Sequence, residues 1–300
     1  MYIFNKEKEI EKVGRKIYTV TGATGYIGYK FIEAALKNGD FVYAIVRESS
    51  DTKRLRELQK KYGEIEIHSY EGHECDLELS IADSDFVVHL GALYTTQEDE
   101  GSTINLINSN ILFSTQIFNV TKRVNPSAVV ISASTFSSLD GRGEYAPSSL
   151  YAATKSAVET IAEYYSTLAI RFLTFPDTFG PDDWRPKIHN ILAKNKSWPF
   201  EFRSPAQQEM LMLHIDDIIG HILEASKDNS AGVKKYDIYT EGILVTLEEL
   251  SRHITDQECL FPEHAKLTEI PKQARKNTWN TGYTNKVGLE GLRELVQLHD

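Results

Sequence analysis

The chain has 300 residues, 41% hydrophobic and 25% charged, enough to fill a sizeable core and too much to be a peptide hormone, a disulfide-stapled miniprotein or a disordered tail. With 33 basic against 43 acidic residues its formal charge is −10, and no Lys/Arg-rich block stands out, which argues against nucleic acid as a partner. Two cysteines, Cys75 and Cys259, a charged opening MYIFNKEKEIEKVGRK and no run near the roughly 18 apolar residues of a membrane span lead us to expect a reduced, cytoplasmic protein without membrane contact.

Residues 16 to 21 (KIYTVT) read as a strand, followed by a glycine cluster and by helical spacing in Ile27, Phe31, Ala34, Ala35 and Leu36. Gly39 ends that helix. FVYAIV (41 to 46) predicts a second strand, 52 to 62 a charged helix, and 65 to 70 a third strand. FVVHL (86 to 90) and AVVIS (128 to 132) are continuous apolar runs of the kind found where helices cover both faces of a parallel sheet. A long helical pattern from about 105 to 123 separates them. Another helix runs from the YAATK segment to about 168, and AIRFLTF gives a sixth strand ending near Pro176. The alternation predicts an α/β, doubly wound parallel sheet of Rossmann type over residues 1 to 176. Residues 177 to 300 are more irregular and are expected to form a smaller substrate-binding lobe, some of whose elements return to the sheet. Thr246 and Glu249 form a capping-box spacing there.

TGATGYIG places Gly22, Gly25 and Gly28 between a predicted strand and helix. Glycine there lets the backbone approach a pyrophosphate, which the helix N-terminus then holds. A cofactor with a free 2′-hydroxyl meets an acidic side chain at the end of the second strand. Here Val46 and Arg47 occupy that place, with Lys53 and Arg54 nearby. An absent carboxylate and a present guanidinium favour a 2′-phosphate, hence NADP(H), with NAD as the alternative. Asp76 is a candidate partner for the adenine amino group, with a surface turn aspartate as the alternative.

Tyr151 and Lys155 lie four apart in YAATK and share a helix face. An ammonium beside a phenol favours its ionised form and brings it nearer to use as an acid or base. The spacing alone is common, since Tyr26 and Lys30 match it too. Tyr151 is distinguished by following the SAST segment, where a hydroxyl of Ser134 or Thr135 is placed to donate to a substrate oxygen.

With HLGA (89 to 92) and HIDDI (214 to 218), these motifs make the chain resemble, over nearly its whole length, the extended short-chain dehydrogenase/reductase family, the nucleotide-sugar epimerase, dehydratase and reductase group. The resemblance implies that Ser134, Tyr151 and Lys155 are catalytic. It implies cofactor contacts from Gly22, Thr24, Gly25, Tyr26, Ile27, Gly28, Arg47, Asp76, Leu77, Leu90, Gly91, Ala92 and Pro176, with Tyr151 and Lys155. On the substrate side it points to Thr135, Asn110, Asp177, Arg185 and Arg203, Asn110 matching an asparagine that orders the site. Asp177 stands where the family usually has Asn, and Met210 where many members have an Arg that grips a diphosphate. Arg203 and Arg185 are the candidates to supply that charge.

The family's 4,6-dehydratases carry an Asp-Glu pair after the catalytic hydroxyl, whereas Thr135 and Phe136 stand here, which disfavours dehydration. The resemblance therefore implies NADPH-dependent reduction of the 4-keto group of a CDP- or GDP-linked 4-keto-6-deoxy sugar. Alternatives are a C4 epimerase with bound NAD, a reductase of a non-sugar ketone, and a cofactor-sensing regulator with a dead site. Apolar residues of two helices (Ile111, Phe118, Ile161, Tyr164, Tyr165) belong to the core or to the four-helix contact through which members of the family form homodimers, so a homodimer is expected. The nine histidines show no metal-ligand spacing, and no metal is expected.

Overall fold

A computed structural model describes residues 14–97 and 99–293; residues 1–13, most of the charged opening segment, lie outside the described residues. In chain order the strands are β1 (Ile17–Thr21), β2 (Phe41–Arg47), β3 (Ile65–Tyr70), β4 (Phe86–His89), β5 (Val129–Thr135), β6 (Ala169–Phe175), β7 (Asp177–Phe179), β8 (Phe200–Glu201), β9 (Glu209–His214), β10 (Gly232–Tyr236), β11 (Ile243–Thr246) and β12 (Cys259–Leu260). The helices are α1 (Tyr26–Lys37), α2 (Lys53–Tyr62), α3 (Cys75–Ala82), α4 (Glu100–Leu106), α5 (Phe113–Val124), α6 (Leu150–Ala162), α7 (Ile188–Ala193), α8 (Ile215–Ala225) and α9 (Leu247–Ile254).

Seven strands form one parallel sheet in the order β10-β6-β5-β4-β1-β2-β3. Every residue of β1 and β6 is buried, as continuous apolar runs require when helices cover both faces. On one face α1, α2 and α8 contribute Phe31, Ile32, Leu55 and Ile218; on the other α3, α5 and α6 contribute Leu77, Ile117, Phe118 and Val158. The sequence order reverses between β1 and β4, which opens a crevice beyond their carboxyl ends.

Two local differences from the sequence reading have physical causes. Helix α3 falls where the sequence reading places no element between the third and fourth strands, because the buried Ser80 sits among its apolar positions Leu77 and Ile81 and hides the periodicity. The long helix before β5 starts earlier, where the Asp99 side chain accepts from the Ser102 amide at 2.9 Å. It also contains one π-helical turn, Ile107–Leu112, which shifts the register of the apolar face. Phe118 and Tyr165 are core residues, Ile111 and Ile161 are half-buried, and Tyr164 is exposed.

After β6 the chain builds a smaller lobe with the sheet order β11-β9-β7, a short β12-β8 pair and its own core of Phe179, Met212, Leu250 and Ile254. The capping box at Thr246 and Glu249 is present, and it starts α9. Between these parts the chain returns to the large sheet: α8 packs on α1, and β10 adds the outermost strand beside β6. A C-terminal strap then runs over that region. Trp279 donates its amide to the Lys235 carbonyl at 2.8 Å, the Tyr283 ring lies against Gly220, and the buried Asp217 accepts from the Tyr283 hydroxyl (3.1 Å) and the Lys286 amide (2.8 Å).

Candidate active site

The glycine turn is as tight as its sequence implies. Gly22 has φ +67°, and a Cβ there would lie 2.7 Å from the Gly91 nitrogen. A Cβ on Gly28 would lie 2.3 Å from the Gly22 carbonyl oxygen. These two glycines press α1 onto the end of β1, and no side chain caps the helix. Its first-turn amides therefore point into the crevice, where an anion can take them.

The cleft beyond them encloses about 460 Å³ and is lined by Gly22, Thr24 and Gly25, by Val46, Arg47 and Ser50, and by Leu90, Gly91 and Ala92. Its shape and glycine floor fit the adenosine half of a dinucleotide. Tyr70 and Gly72, which the sequence reading missed, also line it. Arg47 opens onto an adjoining recess with Glu48, Ser50, Thr52 and Arg56. The basic support expected from Lys53 and Arg54 comes instead from Arg56, since the Arg54 guanidinium lies 4.0 Å over the Trp184 ring.

Asp76 and Leu77 do not line the cleft. The Asp76 carboxylate accepts from the Glu71 and His73 amides at 2.8 and 3.2 Å, which holds its own loop, and Leu77 is wholly buried under the sheet. Tyr26 is also structural: its hydroxyl donates to the Pro181 carbonyl at 3.0 Å and its ring meets Trp184 edge-on. Ile27 packs on the core beside it, and Pro176 is buried between β6 and β7.

Ser149 starts α6 by accepting from the Ala152 amide at 3.2 Å, and the helix then carries Tyr151, Lys155 and Glu159 on one face at four-residue steps. Tyr151 meets the exposed Tyr94 ring edge-on at 5.1 Å, and its hydroxyl makes no hydrogen bond to a described residue. Burial, reinforced by Tyr94, pushes the phenol up to about 12, opposite to the lowering expected from the ammonium, and the group is a neutral proton donor near pH 7. Lys155 is 3% exposed and has no hydrogen-bond or ion-pair partner among the described residues. Burial brings it down to about 8, against an upward pull from Glu159.

Ser134 departs from expectation. Its hydroxyl donates to the Glu159 carboxylate, in a short contact within the interior, so its proton is committed inside the protein. Glu159 carries a signal that was available: it extends Tyr-x3-Lys by another four-residue step. Thr135 accepts from the Ser137 amide at 3.3 Å and begins a 3₁₀ turn.

A second network ties the cleft floor to α6. The Ser114 hydroxyl donates to the Asn110 carbonyl at 2.5 Å, so it must accept from His89 Nε2 (2.8 Å). His89 Nδ1 then accepts from the Thr21 hydroxyl (2.7 Å), which accepts from the Gly91 amide (3.1 Å). This chain fixes the His89 tautomer. Asn110 was expected on the substrate side and is instead fully buried in the π-helical turn. Its amide holds the Leu93 backbone at 2.7 and 3.0 Å and donates to Thr154 Oγ1 at 3.0 Å, so it orders the site from behind.

Burial and the nearby Lys155 charge push His89 down to about 3. Between that value and the roughly 6.5 of a free histidine, the unfolded chain takes up a proton that the folded chain refuses. Stability should therefore fall with decreasing pH across this window, by about 1.4 kcal/mol per pH unit from this group. Urea unfolding from pH 7 to 4 should show that slope, and His89→Gln should lose it; equal slopes would refute the assignment.

On the lobe side, the expected diphosphate contacts are partly engaged already. Arg185 grips Asp183 through Nε (2.8 Å) and Nη2 (2.7 Å) and donates to the Thr178 carbonyl (2.7 Å), so it locks the loop after β7. Asp177 pairs with Lys187 at 2.9 Å. Arg203 is exposed and has no partner among the described residues. Among the described residues no three His, Cys, Asp or Glu side chains converge as metal ligands, and no helix is long and apolar enough to cross a membrane.

The profile of the NAD dependent epimerase/dehydratase family matches residues 18–239. UDP-glucuronate 4-epimerase 2 of Arabidopsis thaliana is 29% identical over 251 residues, 72% of this chain and 56% of that protein. This chain thus spans little more than half the length of the plant epimerases it matches. CDP-abequose synthase of Yersinia pseudotuberculosis is 29% identical over 242 residues, 78% of this chain and 81% of that protein. The structure of UDP-N-acetylglucosamine 4-epimerase from Methanobrevibacter ruminantium M1 superposes with a TM-score of 0.79 at 21% identity, covering 94% of this chain and 97% of that one. That likeness establishes the fold.

Proposed function

Because the chain belongs to the NAD dependent epimerase/dehydratase family, we propose that it reduces the 4-keto group of a CDP- or GDP-linked 4-keto-6-deoxy sugar with NADPH. The observation that carries this reading is the Tyr151 hydroxyl: protonated, without a partner among the described residues, and one helical turn from a buried Lys155 that likewise has none among them. When bound, the nicotinamide supplies the hydride. Tyr151 gives its proton to the oxygen as negative charge develops there, and the Lys155 ammonium is available to ribose hydroxyls. Gly22, Gly25 and the first turn of α1 would hold the pyrophosphate.

Arg47 and Arg56 face one recess beside the adenosine cleft, which suits a 2′-phosphate. Thr135 and Phe136 offer no carboxylate pair for eliminating water, and Phe136 packs instead against Tyr239. The same reading makes the protein a cytoplasmic homodimer, for which light scattering is the check. C4 epimerisation with bound NAD is the second reading, favoured by the likeness to UDP-glucuronate 4-epimerases.

Titration with both reduced cofactors separates the two readings. NADPH should bind at least about tenfold more tightly than NADH, and Arg47→Ala should remove most of that preference, as expected for one charge-assisted pair. Tighter binding of NADH, or purified protein carrying NAD+ through gel filtration, would favour the epimerase.

A further inference from the structure

Tyr94 stands where the cofactor cleft meets the proton donor. The stretch from Leu90 to Leu93 lines that cleft, and the next residue along the chain sets its ring edge-on to the Tyr151 ring, at 5.1 Å and 82°. A short series of hydrogen bonds fixes this relation. Asn110 holds the Leu93 backbone at both its amide and its carbonyl and donates to Thr154 Oγ1, and the Thr154 hydroxyl donates to the Tyr151 carbonyl at 2.7 Å. The loop after β4 is thereby tied to the turn of α6 that carries Tyr151. The Tyr94 ring is nevertheless 68% exposed. Single exposed rings are common on protein surfaces; this one touches the proton donor, so a ligand that reaches Tyr151 meets it.

We propose that Tyr94 determines which sugar the site accepts: its ring is the apolar wall for the C5–C6 edge of the hexose and selects a methyl group at C6 over a hydroxymethyl group. The inference deepens the reductive reading of the Tyr151 site and rests on it. To receive the Tyr151 proton, the oxygen on C4 must come within about 2.8 Å of the phenol oxygen. That brings the hexose, and not the base beyond its diphosphate, beside the neighbouring ring. Two carbons flank C4: C3, which carries a hydroxyl, and C5, which carries the C6 methyl. Covering an exposed aromatic ring removes apolar surface from water on both partners only where the covering group is itself apolar, so the methyl-bearing edge gains most from that place. A hydroxyl on C6 would there exchange water for ring carbons. The wall is thus a filter two bonds from the reacting carbon.

The test uses the full-length protein saturated with NADPH, so that sugars already hydroxylated at C4 bind without reacting. CDP-6-deoxyglucose and CDP-glucose, which differ only in the C6 oxygen, are titrated by calorimetry beside CDP alone. Wild type should bind the 6-deoxy sugar about tenfold more tightly than CDP-glucose, the discrimination that one apolar contact supports. Tyr94→Ala should bring the two sugars within about twofold of each other, with the affinity for CDP as in wild type and, because the ring is exposed, an unaltered thermal melt. Tyr94→Phe should keep the preference. In turnover of CDP-4-keto-6-deoxyglucose, Tyr94→Ala should raise KM about tenfold and change kcat by less than about twofold. A merely structural role, in which Tyr94 only seats the Tyr151 ring, predicts the reverse: a lower kcat and an undiminished preference in Tyr94→Ala. That result overturns the proposal, as does loss of the preference in Tyr94→Phe. If neither CDP-sugar binds, the GDP-linked pair replaces it. Wild type that takes up NADPH and binds neither pair refutes the proposed substrate class and this inference with it, whereas wild type that binds both sugars of a pair equally refutes this inference alone.

Discussion

Replacing Tyr151 by Phe is expected to lower kcat by about a thousandfold, within the range a positioned general acid supplies. The substitution removes one oxygen and keeps the ring that rests on Tyr94 at 5.1 Å. The Tyr151 hydroxyl makes no hydrogen bond to a described residue, so its loss leaves no protein group unpaired and folding stability should hardly change. KM and cofactor affinity should also be near normal, because the lost interaction forms only as the oxygen acquires charge. The measurement is NADPH consumption with the keto sugar, beside a thermal melt of the same preparation. Full turnover by Tyr151→Phe would show that another group delivers the proton and would remove the basis of the proposed function.

The second large effect is expected at Gly28. A methyl group there would stand 2.3 Å from the Gly22 carbonyl oxygen and 3.2 Å from the Ala23 Cα. Both neighbours are backbone atoms of the phosphate-binding turn, so relief requires the turn and α1 to separate. Gly28→Ala should cost about 3 kcal/mol of stability, the upper range for overpacking, and weaken NADPH binding by about a hundredfold. Gly101→Ala is the control: it lies in the first turn of α4, and among the described residues its added methyl meets only the Asp99 side chain at 3.3 Å, so its effect on stability should stay within about 1 kcal/mol. Denaturant melts and cofactor titrations of both variants check the pair. Equal behaviour would mean that the contact between α1 and the turn is not what shapes the site.

The elements that were legible from sequence are those whose burial is uniform. β1 and β6 are apolar along their whole length because both sheet faces are covered, and the glycine turn carries its spacing in the sequence. Tyr151 and Lys155 were legible because one helix face fixes their relation. The misplaced residues share a different cause: a nearby group engages them. Asp183 captures Arg185, Trp184 captures Arg54, and the Glu71 and His73 amides capture Asp76. Composition and spacing announce a charged side chain without showing which neighbour will satisfy it. Arg275 lies at the far extreme, since its partners Glu159, Thr174 and Asp237 meet only after the sheet and strap have assembled.

The strap over β10 has a bearing on solubility. An outermost strand presents unpaired amides and carbonyls, a template on which another chain can add. Trp279 occupies the Lys235 carbonyl, and the Lys234 ammonium lies 4.5 Å over its indole, so this border of the sheet is roofed. The opposite border, β3, is guarded by the charges of Glu66 and by His68. Proteolytic trimming before residue 275 would therefore expose a bare edge and invite self-association, in addition to removing the Arg275 contact with Glu159.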